Sequence, residues 1–123
     1  SSEVALSDTV THDLGSMTIA LAYSQVTGED GNVTTSTKRQ YIVFNISLAM
    51  NTKHKDYADY SETISNYDDQ IKDTVMQVVS NYTSEECGEG FTTYIRDEIL
   101  KAIQNMFKSE FIYRINLNDI KYG

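Results

Sequence analysis

Tyr41-Ile-Val-Phe-Asn-Ile-Ser-Leu-Ala-Met50 is the stretch on which the fold turns. Ile42, Phe44, Ile46, Leu48 and Met50 recur at every second position, while Asn45 and Ser47 take the opposite parity. Successive side chains of an extended chain point to opposite faces, so this is a strand with one face on a core and the other toward water.

Upstream, Ile19, Leu21 and Tyr23 alternate with smaller residues and predict a strand over Met17 to Val26. Gly28-Glu-Asp-Gly-Asn32 tolerates positive φ and should turn the chain, with Thr34 to Arg39 completing a long polar hairpin tip. Ser1 to Gly15 shows no sustained period; residues 1–15 are expected to form a linker or loosely ordered segment, and 16–123 a single domain.

Downstream, Asn51 to Asp59 is charged and aperiodic, as a connection would be. Ile64, Tyr67, Ile71, Val75, Val78, Val79 and Tyr82 then recur at steps of three and four, the apolar stripe of a helix. Ser65 and Asp68 have capping-box spacing, and Asp68 with Lys72 predicts an i,i+4 ion pair. Thr83 and Glu86 repeat the capping-box spacing before Gly88 and Gly90. A second helix is predicted from Thr92 to Phe107, burying Phe91, Ile95, Ile99, Ala102, Ile103, Met106 and Phe107 and exposing an Asp97–Lys101 pair. Phe111, Tyr113, Ile115 and Leu117 alternate in a closing strand over Phe111 to Tyr122; Ile112 and Ile120 break the parity, so this strand is either covered on both faces or changes register near Asp119. The order strand, strand, helix, helix, strand predicts an α+β domain: a mainly antiparallel sheet with two long helices on one face.

At 123 residues the chain suits one domain with one core. With 40% hydrophobic and 23% charged residues and a net charge of -8, it reads as globular and soluble, and the acidic balance argues against a nucleic-acid partner, which would need clustered Lys and Arg. An anionic bilayer surface would repel the domain itself. There is no run of about 18 apolar residues. The first residue is Ser1 rather than Met, so the chain is expected to be an excised fragment or processed form, and the lack of such a run is no evidence that the natural protein has no anchor.

No chemical constellation emerges, so no catalytic, cofactor-binding or metal-ligating residue is expected. His12 and His54 sit in segments read as irregular, with no ligand spacing, and are expected to be ordinary exposed side chains. Asp68-Asp69 and Glu85-Glu86 are adjacent carboxylates, which on a helix point about 100° apart and serve helix N-termini better than acid–base chemistry. Gly28 to Asn32 lacks the ligand order of a calcium loop, and Gly88-Glu-Gly90 lacks the Lys of a phosphate loop. No nucleophile elbow surrounds any serine, and Cys87 follows two acids, which disfavour a thiolate. Sequons at Asn32, Asn45 and Asn81 arise easily in a chain so rich in Asn, Ser and Thr; glycosylation is not inferred. Tyr57, Tyr60 and Tyr67 suggest a contact patch near the first helix, with Tyr67 the better core candidate.

The strand Tyr41 to Met50, the helical segment Ile71-Lys-Asp-Thr-Val-Met-Gln-Val-Val-Ser80, Tyr82-Thr-Ser-Glu-Glu86, Ile95-Arg-Asp-Glu-Ile-Leu100 and the closing Ile112-Tyr-Arg-Ile-Asn-Leu-Asn-Asp-Ile120 together resemble FliL, the flagellar basal body-associated family, from about Asp13 to the end. The final Asp119-Ile-Lys-Tyr-Gly123 departs from the Phe and Gln that usually end the family's strand. The resemblance implies a non-enzymatic accessory of the bacterial flagellum, serving motility and chemotaxis. It implies a cell-membrane location at the basal body, an N-terminal anchor, and a domain on the extracytoplasmic side with a stomatin-type (SPFH-like) fold. It also implies self-association into a ring and association with basal body proteins and with the stator units that generate torque. A ring needs a heterologous contact between two different faces. The hairpin from Thr27 to Gln40 and the exposed face of the first helix are the candidates, although no residue of the family's machinery carries over by position. Two other readings share the element order: a generic extracytoplasmic lipoprotein or binding domain, and a small carboxylate hydrolase.

Overall fold

The computed structural model describes residues 3–123. Five strands, β1 (Thr9–Ala20), β2 (Gln25–Thr27), β3 (Val33–Thr35), β4 (Tyr41–Asn51) and β5 (Ile112–Tyr122), enclose three α-helices in chain order. These are the single turn α1 (Tyr57–Tyr60) and the long α2 (Asp68–Val79) and α3 (Phe91–Phe107), with 3-10 turns at Leu6–Asp8 and Ile64–Tyr67. β1, β4 and β5 form an antiparallel sheet with β4 in the middle, and β2 pairs with β3 in a separate two-stranded ribbon.

The alternation read from β4 becomes its burial. Ile42, Phe44, Ile46, Leu48 and Met50 are all buried and share one cluster with Ile71, Val75 and Val79 of α2 and Ile95, Ile99 and Ile103 of α3. Each such side chain, fully withdrawn from water, contributes about 1.5–3 kcal/mol, and that is what holds both helices on one face. The other face carries Thr11, Asp13, Asn45, Ser47 and Asn118, and Asn116 Nδ2 donates to Ser47 Oγ at 3.2 Å. The α+β architecture, its antiparallel sheet and its two packed helices agree with the expectation.

Several expectations need correction. β1 begins at Thr9, paired with Asn51, so the boundary placed after residue 15 falls inside a strand, and Leu14, in the expected linker, is buried. Period counting missed the first half of β1 because it contains a bulge: Asp13 pairs with Ser47 but Gly15 with Ile46, leaving Leu14 as the extra residue. Gly15 has φ 81 there, its N–H donating to Asp13 Oδ1 at 2.8 Å. A glycine takes that conformation without steric cost, and its arrival shifts the parity that a strict two-residue period demands. At the other end, β1 stops at Ala20 and Tyr23 is exposed.

β5 changes register at Asp119, one of the two alternatives: Asn45 pairs with Asn118 and Val43 with Lys121, and Asp119 has φ 55. A second bulge at Tyr113 lets Ile112 and Ile115 both face the core. The first helix is shorter than its stripe. Ile64 to Tyr67 is a 3-10 turn, and α2 starts at Asp68 with no side-chain cap, so the Ser65–Asp68 box does not form. The Thr83–Glu86 box does form: Thr83 N–H donates to Glu86 Oε1 at 2.9 Å and Glu86 N–H to Thr83 Oγ1 at 3.4 Å. α3 is preceded by Gly90 at φ 83 and closed by Lys108 at φ 54, with Lys108 N–H donating to the Asn105 carbonyl and Ser109 N–H to that of Gln104. Those two bonds make a Schellman ending with lysine where glycine is usual.

Candidate interaction surfaces

Among the described residues no three His, Cys, Asp or Glu side chains converge to hold a metal ion, and no helix is long and apolar enough to cross a membrane. Three surface regions remain to be examined for what they can bind.

The first is the arm between β1 and β4. Leu21 is buried, its N–H donating to the Gln40 carbonyl at 2.9 Å, and beyond that closure the chain leaves the core. Every residue of β2 and β3 is exposed, and Val26 and Val33 show 50% and 60% of their surfaces to water. The tip is built as the turn residues predict: Asp30 Oδ1 accepts from Asn32 N–H at 3.0 Å and Gly31 has φ 83. The base is anchored elsewhere. Ala22 N–H donates to the Tyr82 carbonyl at 2.8 Å and Ser24 Oγ to Glu85 Oε2 at 2.5 Å, tying the arm to the loop between α2 and α3. That bond, foremost, holds Glu85 below its ordinary carboxylate range. The Arg39 guanidinium lies 4.5 Å from the Tyr23 ring centroid.

The second is the loop before α3, where the sequence placed Cys87 beside two acids. Its Sγ donates to the Thr83 carbonyl at 3.3 Å. Burial, then Glu86, then Glu85 push the thiol pKa up, so the unfavourable environment read from the acids is compounded by desolvation that only the fold reveals. Tyr82 lies close by, its hydroxyl donating to Glu98 Oε1 at 2.6 Å; that carboxylate, then Tyr94, raises the phenol far above its usual value.

The third is the α2–α3 side. Tyr60 and Tyr67 are brought together with Phe107: Tyr60–Tyr67 centroids are 6.0 Å apart, Tyr60–Phe107 5.1 Å and Tyr67–Phe107 5.5 Å, all edge to face. Tyr60 also stacks on buried Phe111 at 5.0 Å. Tyr57 packs against the core without joining these contacts. The three rings line a groove of about 520 Å³ together with Asp69, Gln70, Asp73, Thr74 and Met106. Sequence reading marked the tyrosines; it gave no reason to join them with Asp73 and Met106, which only the packing of α2 on α3 brings alongside.

Both histidines differ from expectation. His12 lies in β1, opposite Leu48, on the core-facing side, and its Nε2 is 2.7 Å from Asp68 Oδ1. This contact replaces the expected Asp68–Lys72 pair, because the strand presents a closer partner than the next helical turn; no Asp97–Lys101 pair forms among the described residues either. His54 does sit in a turn, but its Nδ1 accepts the Asp56 N–H at 3.1 Å, and both rings are partly covered rather than exposed. The amides of all three sequon asparagines are engaged: Asn32 Nδ2 donates to Asp30 Oδ2 at 2.8 Å, Asn45 Nδ2 to Asp119 Oδ2 at 3.0 Å and Asn81 Nδ2 to the Gln77 carbonyl at 2.8 Å.

A family model described as flagellar basal body-associated protein FliL matches residues 29–120. No curated protein matches the chain.

Proposed function

The chain belongs to the FliL family, non-enzymatic accessory proteins associated with the flagellar basal body, and from that premise we propose that it is a water-facing domain of the motor, residues 16–123 with the strand start at Thr9 added. An N-terminal anchor would hold it on the extracytoplasmic side of the cell membrane. There it would assemble into a ring, associate with the stator units and support torque. A stomatin-type (SPFH-like) relationship of the fold belongs to the same reading.

The observation that carries the ring is the arm. β2 and β3 bury nothing of their own chain, yet they are paired, turned by a formed Asp30–Asn32 tip and presented at a fixed base through Ala22 and Ser24. Exposed Val26 and Val33 sit on an element that does nothing for the core. Such an element fits a heterologous contact, in which the arm of one subunit rests on a different face of the next. The exposed side of α2 is the complementary candidate.

The test is deletion of the chromosomal copy, followed by complementation with the full-length protein and with a Val26→Ser, Val33→Ser double variant. Swimming speed and stator localisation are the readouts. Loss of motility or of torque under load on deletion, restored by the native protein and not by a folded double variant, is expected. Unimpaired swimming on deletion would overturn the motor role. Full rescue by the double variant would overturn only the arm.

A further inference from the structure

The α2–α3 groove sets aromatic rings beside carboxylates that no cation of its own chain pairs with. Its lining includes the ring cluster of Tyr60, Tyr67 and Phe107 and the acids Asp69 and Asp73. These acids are i,i+4 neighbours on α2, a spacing at which like charges repel. The helix N-terminus accounts for Asp69 in the first turn, but its field decays within that turn, and Asp73 lies beyond it. No lysine or arginine lines the groove, and among the described residues no lysine or arginine pairs with a carboxylate; the two histidine–carboxylate contacts, of His12 and His54, lie elsewhere. Asp73 is exposed, and its Oδ2 accepts a neutral bond from Gln77 Nε2 at 2.8 Å, so no cation of its own chain competes for it.

We propose that this groove binds an arginine side chain, flanked by apolar residues, on a partner protein. A guanidinium is the cation that suits both kinds of lining group: its plane packs on aromatic rings while its forked N–H donors address a carboxylate in pairs. Met106, whose Sδ takes a 3.5 Å contact from Thr74 Oγ1, adds a polarisable floor for the aliphatic stem. The cavity volume, about 520 Å³, exceeds what one side chain fills, and so leaves space for its apolar neighbours. The chain's charge of -8 favours the approach of a basic segment. Nothing in this assignment depends on the ring or the stator.

The test titrates the isotopically labelled domain with acetyl-Leu-Arg-Leu-amide and with the citrulline counterpart, which keeps shape and removes charge, and follows backbone amide resonances. Saturable shifts at Tyr60, Tyr67, Asp69 and Asp73 are expected with the arginine peptide, with affinity at least tenfold weaker for citrulline, for an Asp69→Asn, Asp73→Asn variant and for Tyr67→Leu. The double Asn variant replaces exposed groups on one helix and removes their repulsion, so it should fold; its unperturbed spectrum is the control. Equal shifts with citrulline, shifts scattered over other acidic surface, or no saturable shift would each overturn the proposal. Concentration-dependent shifts of the same amides without peptide would mean that a second copy occupies the groove, and would overturn the choice of occupant.

Discussion

Nε2 of His12, in the edge strand β1, lies 2.7 Å from Oδ1 of Asp68, the first residue of α2. A carboxylate only accepts, so the imidazole donates and its proton resides on Nε2. The contact joins the bulged end of β1 to the start of a helix that has no side-chain cap. With side-chain exposures of 18% and 31% it is partly screened. His12→Ala is therefore expected to cost about 1–2 kcal/mol. A double-mutant cycle with Asp68→Asn, followed by denaturant unfolding, checks it: a coupling near zero would show that the two side chains are merely adjacent.

The way α3 ends gives a prediction of opposite sign. Lys108 holds φ 54 to let Ser109 N–H reach the Gln104 carbonyl, a conformation in which its Cβ crowds the backbone. Lys108→Gly removes that strain but enlarges the unfolded ensemble, and the net expectation is a gain of about 0.5–1 kcal/mol. Thermal unfolding should show a rise in Tm, whereas a fall would mean that the lysine side chain contributes more to the helix end than its strain costs.

How much of this was legible beforehand differs by element, for physical reasons. β4 was read in full because its alternation is unbroken over Ile42 to Met50. α3 was read within one residue because Gly90 and the stripe Phe91, Ile95, Ile99, Ile103 mark it unambiguously. β1 was read only in part, because the Gly15 bulge shifts its parity, and the Tyr113 bulge of β5 likewise puts Ile112 and Ile115 on the same face. Surface ion pairs were the poorest inference: i,i+4 spacing offers Lys72 to Asp68, but tertiary packing offers His12. Of the interaction surfaces, the arm and the tyrosines were visible in the sequence; the convergence of Tyr60, Tyr67, Asp69 and Phe107 was not, since residues on α1, α2 and α3 meet only once the core has formed.

Cys87 should be a slow nucleophile. Burial first, then Glu86 and Glu85, raise its pKa, so at neutral pH a smaller fraction is thiolate than in a free cysteine. Its alkylation by iodoacetamide in the folded protein should fall well below the rate in the unfolded chain, and should climb with pH later than a free thiol does. Glu86→Gln, which keeps an acceptor for the Thr83 capping box, should raise the folded-state rate, while burial keeps it below that of the unfolded chain. A rate as fast as in the unfolded chain would contradict the geometry.

The base of the arm should loosen in acid. Ser24 Oγ donates to Glu85 Oε2 at 2.5 Å, and this bond is the main reason that the Glu85 pKa lies below its ordinary value of 4.5. A carboxyl whose folded pKa is depressed contributes its full share above the unfolded value and loses it as pH falls through the folded one. Between neutral pH and the ordinary carboxylate range the contact should persist; below that range Glu85 protonates, and the hydroxyl loses its charged acceptor. Glu85 is fully exposed, so global stability should hardly register the change. The readout is local: amide exchange at Ala22, whose N–H bonds the Tyr82 carbonyl beside this contact, should accelerate below the Glu85 titration in the native protein. Ser24→Ala should move the Glu85 carboxyl titration upward, toward 4.5, and make Ala22 exchange faster at neutral pH. If Ala22 protection is the same in both proteins and flat through the titration, the arm is held by the Ala22–Tyr82 backbone bond alone and the Ser24–Glu85 contact contributes nothing to its fixed presentation.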